Sequence, residues 1–207
     1  VDLARNDLGR VCAYGTVHAY IQVTDRLADP ERQAPALVLY AMIPGHVVRN
    51  YLRRSYVRMI LTMPHFLEPS PDPAADRRGY PHFELRGGKL HSLGIAGPDD
   101  TLEDAWHPEL WRTEMALTEA FLAGMDAACR AREVPFAVIV LPEQNVDKSV
   151  RASVLAMLDR HGIRYLDLTD LPLETFPHDP HPTPASHRRI AAAIAGSFIT
   201  PMLEGGR

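Results

Sequence analysis

The sequence predicts an α/β fold built on a parallel sheet, and three observations predict it. Short apolar-rich runs recur at Ala36 to Ile43, Phe136 to Leu141 and Ile163 to Leu168. Runs this short, bounded by turn residues, are the pattern of strands buried on both faces. Stretches of helical character lie between them, which is the alternation that builds βαβ units.

Taken in chain order, Thr16 to Leu27 is the first helical stretch, and the Ala36 to Ile43 run follows it and ends in Pro44-Gly45. Residues 51–103 then break the rhythm with the proline-rich Glu68-Pro-Ser-Pro-Asp-Pro and with His82 to Leu93, where Gly87-Gly88 is placed to turn a β-hairpin. This segment reads as an inserted β-rich excursion near the site rather than a second domain. Its Phe66, Tyr80 and Phe83 either line a substrate cleft or pack the hairpin on the rest of the fold. The Gly-Gly-Lys at its turn lacks the glycine spacing and the following helix of a phosphate loop. A long helix spans Leu110 to Arg132, and the Phe136 to Leu141 strand ends at Pro142. Val146 to His161 carries Val150, Val154, Leu155 and Leu158 on one helical face, and the Ile163 to Leu168 strand follows. Thr183 is placed as an N-cap with Pro184 in the first helical position, opening a helix towards Met202. Three parallel strands would align Gly45, Pro142 and the Asp179 loop along one rim, where open α/β sheets hold their sites.

A chain of 207 residues with 46% hydrophobic content can bury one good core, so residues 1–207 are expected to form a single domain. The net charge of −4 and the scattered basic residues speak against nucleic acid as a partner. Cys12 and Cys129 are too few for a disulfide framework or a cysteine metal motif, although one bridge stays open. No apolar run approaches the roughly 18 to 20 residues that span a bilayer, and the start of the chain lacks a charged-then-apolar signal pattern.

The chemistry concentrates in Phe176-Pro-His178-Asp179-Pro-His181-Pro-Thr183-Pro-Ala-Ser186-His187. A carboxylate and imidazoles stand here on a proline-stiffened loop that opens a helix. An Asp that accepts a hydrogen bond from one imidazole nitrogen fixes the tautomer, so that the other nitrogen can take a proton from a hydroxyl nucleophile. The competing reading is a surface loop in which Asp179 caps a turn and His181 faces water.

Asp179-Pro-His181-Pro resembles the last sequence block of the SGNH (GDSL-type) hydrolases, with Ser186-His187 where Gly-His is usual. Val11-Cys-Ala13-Tyr-Gly15-Thr resembles the block that supplies a backbone oxyanion donor, and Leu37 to His46 resembles the strand and turn that usually carry Gly-x-Asn-Asp. The resemblance implies a three-layer α/β/α flavodoxin-like sheet, with Asp179 and His181 as the acid-base pair and Ala13, Gly15 and His46 as oxyanion donors. It implies no cofactor or metal, and a small-molecule or carbohydrate ester as substrate. His46 departs from the usual Asn, because its charge and tautomer change with pH. Asn50 is the nearby amide that could substitute for it, and the competing reading of Gly15-Thr16 is an ordinary turn with Thr as a helix N-cap.

The family's first block, a strand followed by Gly-Asp-Ser, is missing. Ser55, Ser70, Ser92, Ser149, Ser153, Ser186 and Ser197 are the serines present, and none has that setting. The leading expectation is a serine ester hydrolase, carboxylesterase or deacetylase, whose nucleophile lies upstream of Val1. An O-acyltransferase shares the same chemistry. An inactive binding module that has lost the serine is the alternative, and a zinc site from His178, Asp179, His181 and His187 is a distant third.

Overall fold

The computed structural model describes residues 16–50, 80–96, 108–143, 147–177 and 179–196. In chain order these form α1 (Thr16–Ala28), β1 (Val38–Met42), a 3₁₀ turn (Pro44–Asn50), β2 (Tyr80–Arg86), β3 (Lys89–Ala96), α2 (Pro108–Ala131), β4 (Phe136–Val140), α3 (Lys148–Arg160), β5 (Arg164–Asp167), β6 (Thr175–Phe176), β7 (Asp179–Pro182) and α4 (Pro184–Ile194). The contacts separate into two compact units, one of residues up to Ala36 with Gly45–Val134 and one of Leu37–Pro44 with Pro135–Arg207.

The second unit holds a parallel sheet in the order β1-β4-β5. Val38 to Met42 pair in register with Phe136 to Val140, and Ala137 to Val140 pair with Arg164 to Asp167. Every residue of β4 is buried, as expected of a central strand whose apolar run has no polar face. On one face of the sheet Ile139, with Leu39, Ala41 and Leu166 beside it, meets Leu168, Leu171, Leu173, Ile190, Ala193 and Ile194, so α4 is held by an apolar seam. The β4–α3–β5 connection is a βαβ crossover. Asp147 caps α3 by accepting from the Ser149 N–H at 2.8 Å, one residue inside the boundary expected from sequence. Gly162 then stops the helix at φ +62°, a left-handed conformation that suits glycine.

In the first unit α1 packs against α2, and the β2–β3 hairpin lies against both helices' apolar residues. Val17, Leu117, Phe121 and Ala96 form its buried cluster, with Tyr20, Ile21, Phe83, Leu85 and Leu90 around them. The Tyr20, Phe83 and Phe121 rings meet with centroids 5.3–5.9 Å apart. Phe83 is therefore a packing residue; Phe66 lies outside the described residues. Gly87 and Gly88 turn the hairpin at φ +57° and +75°, the twist that a two-residue loop needs. Gly124 lets the Tyr20 ring lie close against α2, since a Cβ there would stand 2.6 Å from it. Arg132 closes the far end of α1 by donating to the carbonyls of Leu27 at 2.6 Å and Asp29 at 3.3 Å.

Among the described residues, no helix is long and apolar enough to cross a membrane.

Candidate functional site

The Asp179 motif, expected as a loop, forms a strand. β7 pairs antiparallel with β6, with Thr175 opposite Pro182 and Phe176 opposite Asp179. Prolines at 180 and 182 favour this, because proline and the residue before it are both driven to extended backbone. A strand's two-residue repeat puts alternate positions on one face, so positions 179 and 181 share a face of β7. The difference from the expectation arises because a two-residue partner strand leaves almost no periodicity for a sequence reading to detect.

Immediately after β7, Thr183 caps α4. Its hydroxyl accepts from the Ser186 N–H at 3.3 Å, and Pro184 occupies the first turn as its missing N–H allows. The described helix ends at Ile194, and the expected extension to Met202 falls outside the described residues. Ser186 is fully buried, and its hydroxyl both accepts from the Glu174 N–H at 2.7 Å and donates to the Glu174 carbonyl at 2.8 Å. Thr183 N–H donates to the same carbonyl at 2.9 Å. Ser186 is thus a structural serine rather than an exposed nucleophile. His187 is exposed, and its backbone N–H closes the first helical turn on the Thr183 carbonyl at 2.9 Å.

Upstream of the motif, the loop that leaves β5 is fastened to α3. Arg151 makes a two-pronged contact with Asp170, at 2.8 and 2.7 Å, and reaches Asp167 at 2.7 Å. Asp167 in turn accepts from the Thr169 N–H and hydroxyl at 3.0 and 2.6 Å. Partial burial pushes the Asp167 carboxyl up, but the bonds from Thr169 and Arg151 outweigh it and hold its pKa below the ordinary value. Asp170 is also held low, chiefly by its bond from Arg151.

The oxyanion candidates divide. Ala13 and Gly15 lie outside the described residues. His46 sits in the 3₁₀ turn that leaves β1 and is only 3% exposed, within the first unit. Asn50, at the end of that turn, has its side chain fully engaged. Its Oδ1 accepts from the Val17 N–H at 3.2 Å, and its Nδ2 donates to the Thr16 and Thr118 hydroxyls at 3.1 and 2.7 Å. Both amide protons are used, so Asn50 does not substitute as an oxyanion donor. It serves instead as the cap for an early α1 amide, and Thr16, read as a cap residue, lies inside the helix. Thr118 passes its own proton to the Glu114 carbonyl at 2.8 Å, which closes a buried polar chain.

Cys129 offers no alternative nucleophile. Burial, aided by nearby Asp126, pushes its thiol up to about 11, so it stays protonated at neutral pH. Among the described residues no group of three or more metal-ligating side chains comes together; His178, a member of the zinc alternative, lies outside them.

No family model matches the chain, and neither a curated protein nor a solved structure matches it. What is established is an α/β protein with a three-stranded parallel sheet and, beyond its last strand, a short Asp-x-His strand feeding a capped helix.

Proposed function

We propose that this chain belongs to an SGNH (GDSL-type) serine ester hydrolase acting through an acyl-enzyme on a small-molecule or carbohydrate ester. On this reading the parallel sheet is part of a three-layer α/β/α flavodoxin-like fold. The single observation that carries the proposal is the Asp179-Pro-His181-Pro strand, which leads directly into a Thr183-capped helix downstream of a parallel sheet.

In the proposed mechanism Asp179 accepts from His181 and fixes its tautomer. His181 takes the proton from a serine hydroxyl as the serine oxygen bonds to the ester carbonyl carbon, and then gives that proton to the departing alkoxide. Water repeats the sequence to release the acid. The acyl-transfer chemistry also needs N–H donors for the developing negative charge, each worth about 3 kcal/mol if well aimed. The serine belongs to a Gly-Asp-Ser block that this chain does not contain.

The test is ester hydrolysis by the full product of the reading frame that includes this chain, with p-nitrophenyl acetate as substrate. The expected result is a rate that rises with pH through an imidazole titration, displaced upward from the ordinary ~6.5 by the carboxylate partner, and falls by about 10³-fold or more in His181→Ala. An unchanged rate in that variant removes His181 from the mechanism.

A further inference from the structure

The strand that carries Asp179 and His181 is poorly equipped to hold its own place. Pro180 and Pro182 have no N–H, so β7 has donors only at positions 179 and 181. Its partner β6 is two residues long, and the pairing shifts register between Thr175 and Phe176. A two-stranded hairpin is at best marginally stable even with a full ladder.

The residues that flank the hairpin supply what the ladder lacks. Glu174 stands immediately before β6, while Thr183 and Ser186 stand immediately after β7. The buried Ser186 hydroxyl takes the Glu174 N–H at 2.7 Å and gives its own proton to the Glu174 carbonyl at 2.8 Å, so one side chain makes the pair of bonds that a further strand residue would make. Thr183 N–H adds a bond to the same carbonyl at 2.9 Å. Outside this part-buried clasp, Arg189 pairs with the Glu174 carboxylate at 2.9 Å, but both side chains are about half exposed, and such a pair contributes little.

We infer that Ser186 is a positioning residue for the Asp179–His181 pair, its hydroxyl closing the open end of the β6–β7 hairpin and so fixing the register in which β7 presents both residues. The inference rests on the proposed acid-base roles for its catalytic meaning. A hydroxyl suits the task because it is donor and acceptor at once, and the Ser186 side chain that carries it is itself fully buried. Alanine at 186 removes the acceptor of the part-buried Glu174 N–H.

The experiment is NMR on this chain, reading amide exchange along the backbone and the titration of the His181 ring. In the unmodified protein the Glu174 and Thr183 amides are expected to be protected; exchange of Glu174 at the rate of a free amide would overturn the clasp without any variant. In Ser186→Ala both amides are expected to exchange about fivefold faster or more, while β4 amides keep their protection. If Asp179 partners His181 as proposed, its carboxylate favours the charged imidazole, so the His181 titration is expected to shift in Ser186→Ala in the same direction as in Asp179→Asn. Ser186→Thr, which keeps the hydroxyl, should restore both readouts, and Glu174→Ala, which removes only the exposed Arg189 pair, should change neither. A His181 titration that moves in Asp179→Asn but not in Ser186→Ala overturns the positioning role and leaves the acid-base reading standing. One that does not move in Asp179→Asn overturns the acid-base reading, and the positioning role with it.

Discussion

Asn50 shows how much depends on where a single side chain makes its bonds. A carboxamide has one acceptor oxygen and two donor protons, and Asn50 commits all three to Val17, Thr16 and Thr118. Replacing it with alanine removes the acceptor of a helix-end amide and the donor to two buried hydroxyls, in a place only 7% exposed. Asn50→Ala is therefore expected to destabilise the protein by roughly 1–3 kcal/mol, read as a lowered urea midpoint; a loss below about 0.5 kcal/mol, the level of an ordinary surface change, would contradict this assignment. Sequence could nominate Asn50 as a polar residue near a strand end, yet it could not assign the role. The partners lie 33, 34 and 68 residues away along the chain, and only tertiary packing brings them together. Ser186 was legible as an early helix residue with a structural part, because Thr183-Pro184 marks the helix start. Its bond partner Glu174 carries no local signal at all.

At the scale of elements, the sheet strands and the helices were the most legible parts. Apolar runs ending in Pro-Gly and Pro142 gave β1 and β4 to within two residues, the Gly87-Gly88 pair marked the hairpin, and an apolar helical face marked α3. The β6–β7 pair was not legible, since two residues against four offer neither alternation nor length. The loop between β5 and β6 owes its path to Arg151, which joins α3 to Asp167 and Asp170. Both carboxyls titrate below their ordinary range. A carboxyl whose pKa is lower in the folded than in the unfolded chain adds stability above the unfolded value, ~4, and that stability is lost as pH falls through the folded value. Arg151→Met is accordingly expected to be less stable than the unmodified protein at pH 7, with the difference shrinking as pH drops below ~4. Thermal unfolding across that range reads it; a difference that is independent of pH would show that Arg151 acts by packing alone.

For the whole molecule, topology and chemistry carry different weight. A parallel β1-β4-β5 sheet with α4 on one face is a scaffold that serves many activities. The functional reading therefore stands on the site, and specifically on a strand that spaces a carboxylate and an imidazole two residues apart before a capped helix. The candidate residues were only partly legible as a site. Asp179 and His181 stand out as candidates by spacing alone because the chemistry proposed for them is local, while oxyanion donors of the proposed kind would be backbone amides, which leave little trace in side-chain identity. The nucleophile is the element that the proposed chemistry requires and that no serine of this chain supplies in the expected setting. The most direct measurement is fluorophosphonate labelling of the full reading-frame product, mapped to a peptide by mass. The account predicts a single labelled serine in a Gly-Asp-Ser setting, with labelling abolished by His181→Ala. Absence of labelling on the folded product, or labelling that survives His181→Ala, would contradict it.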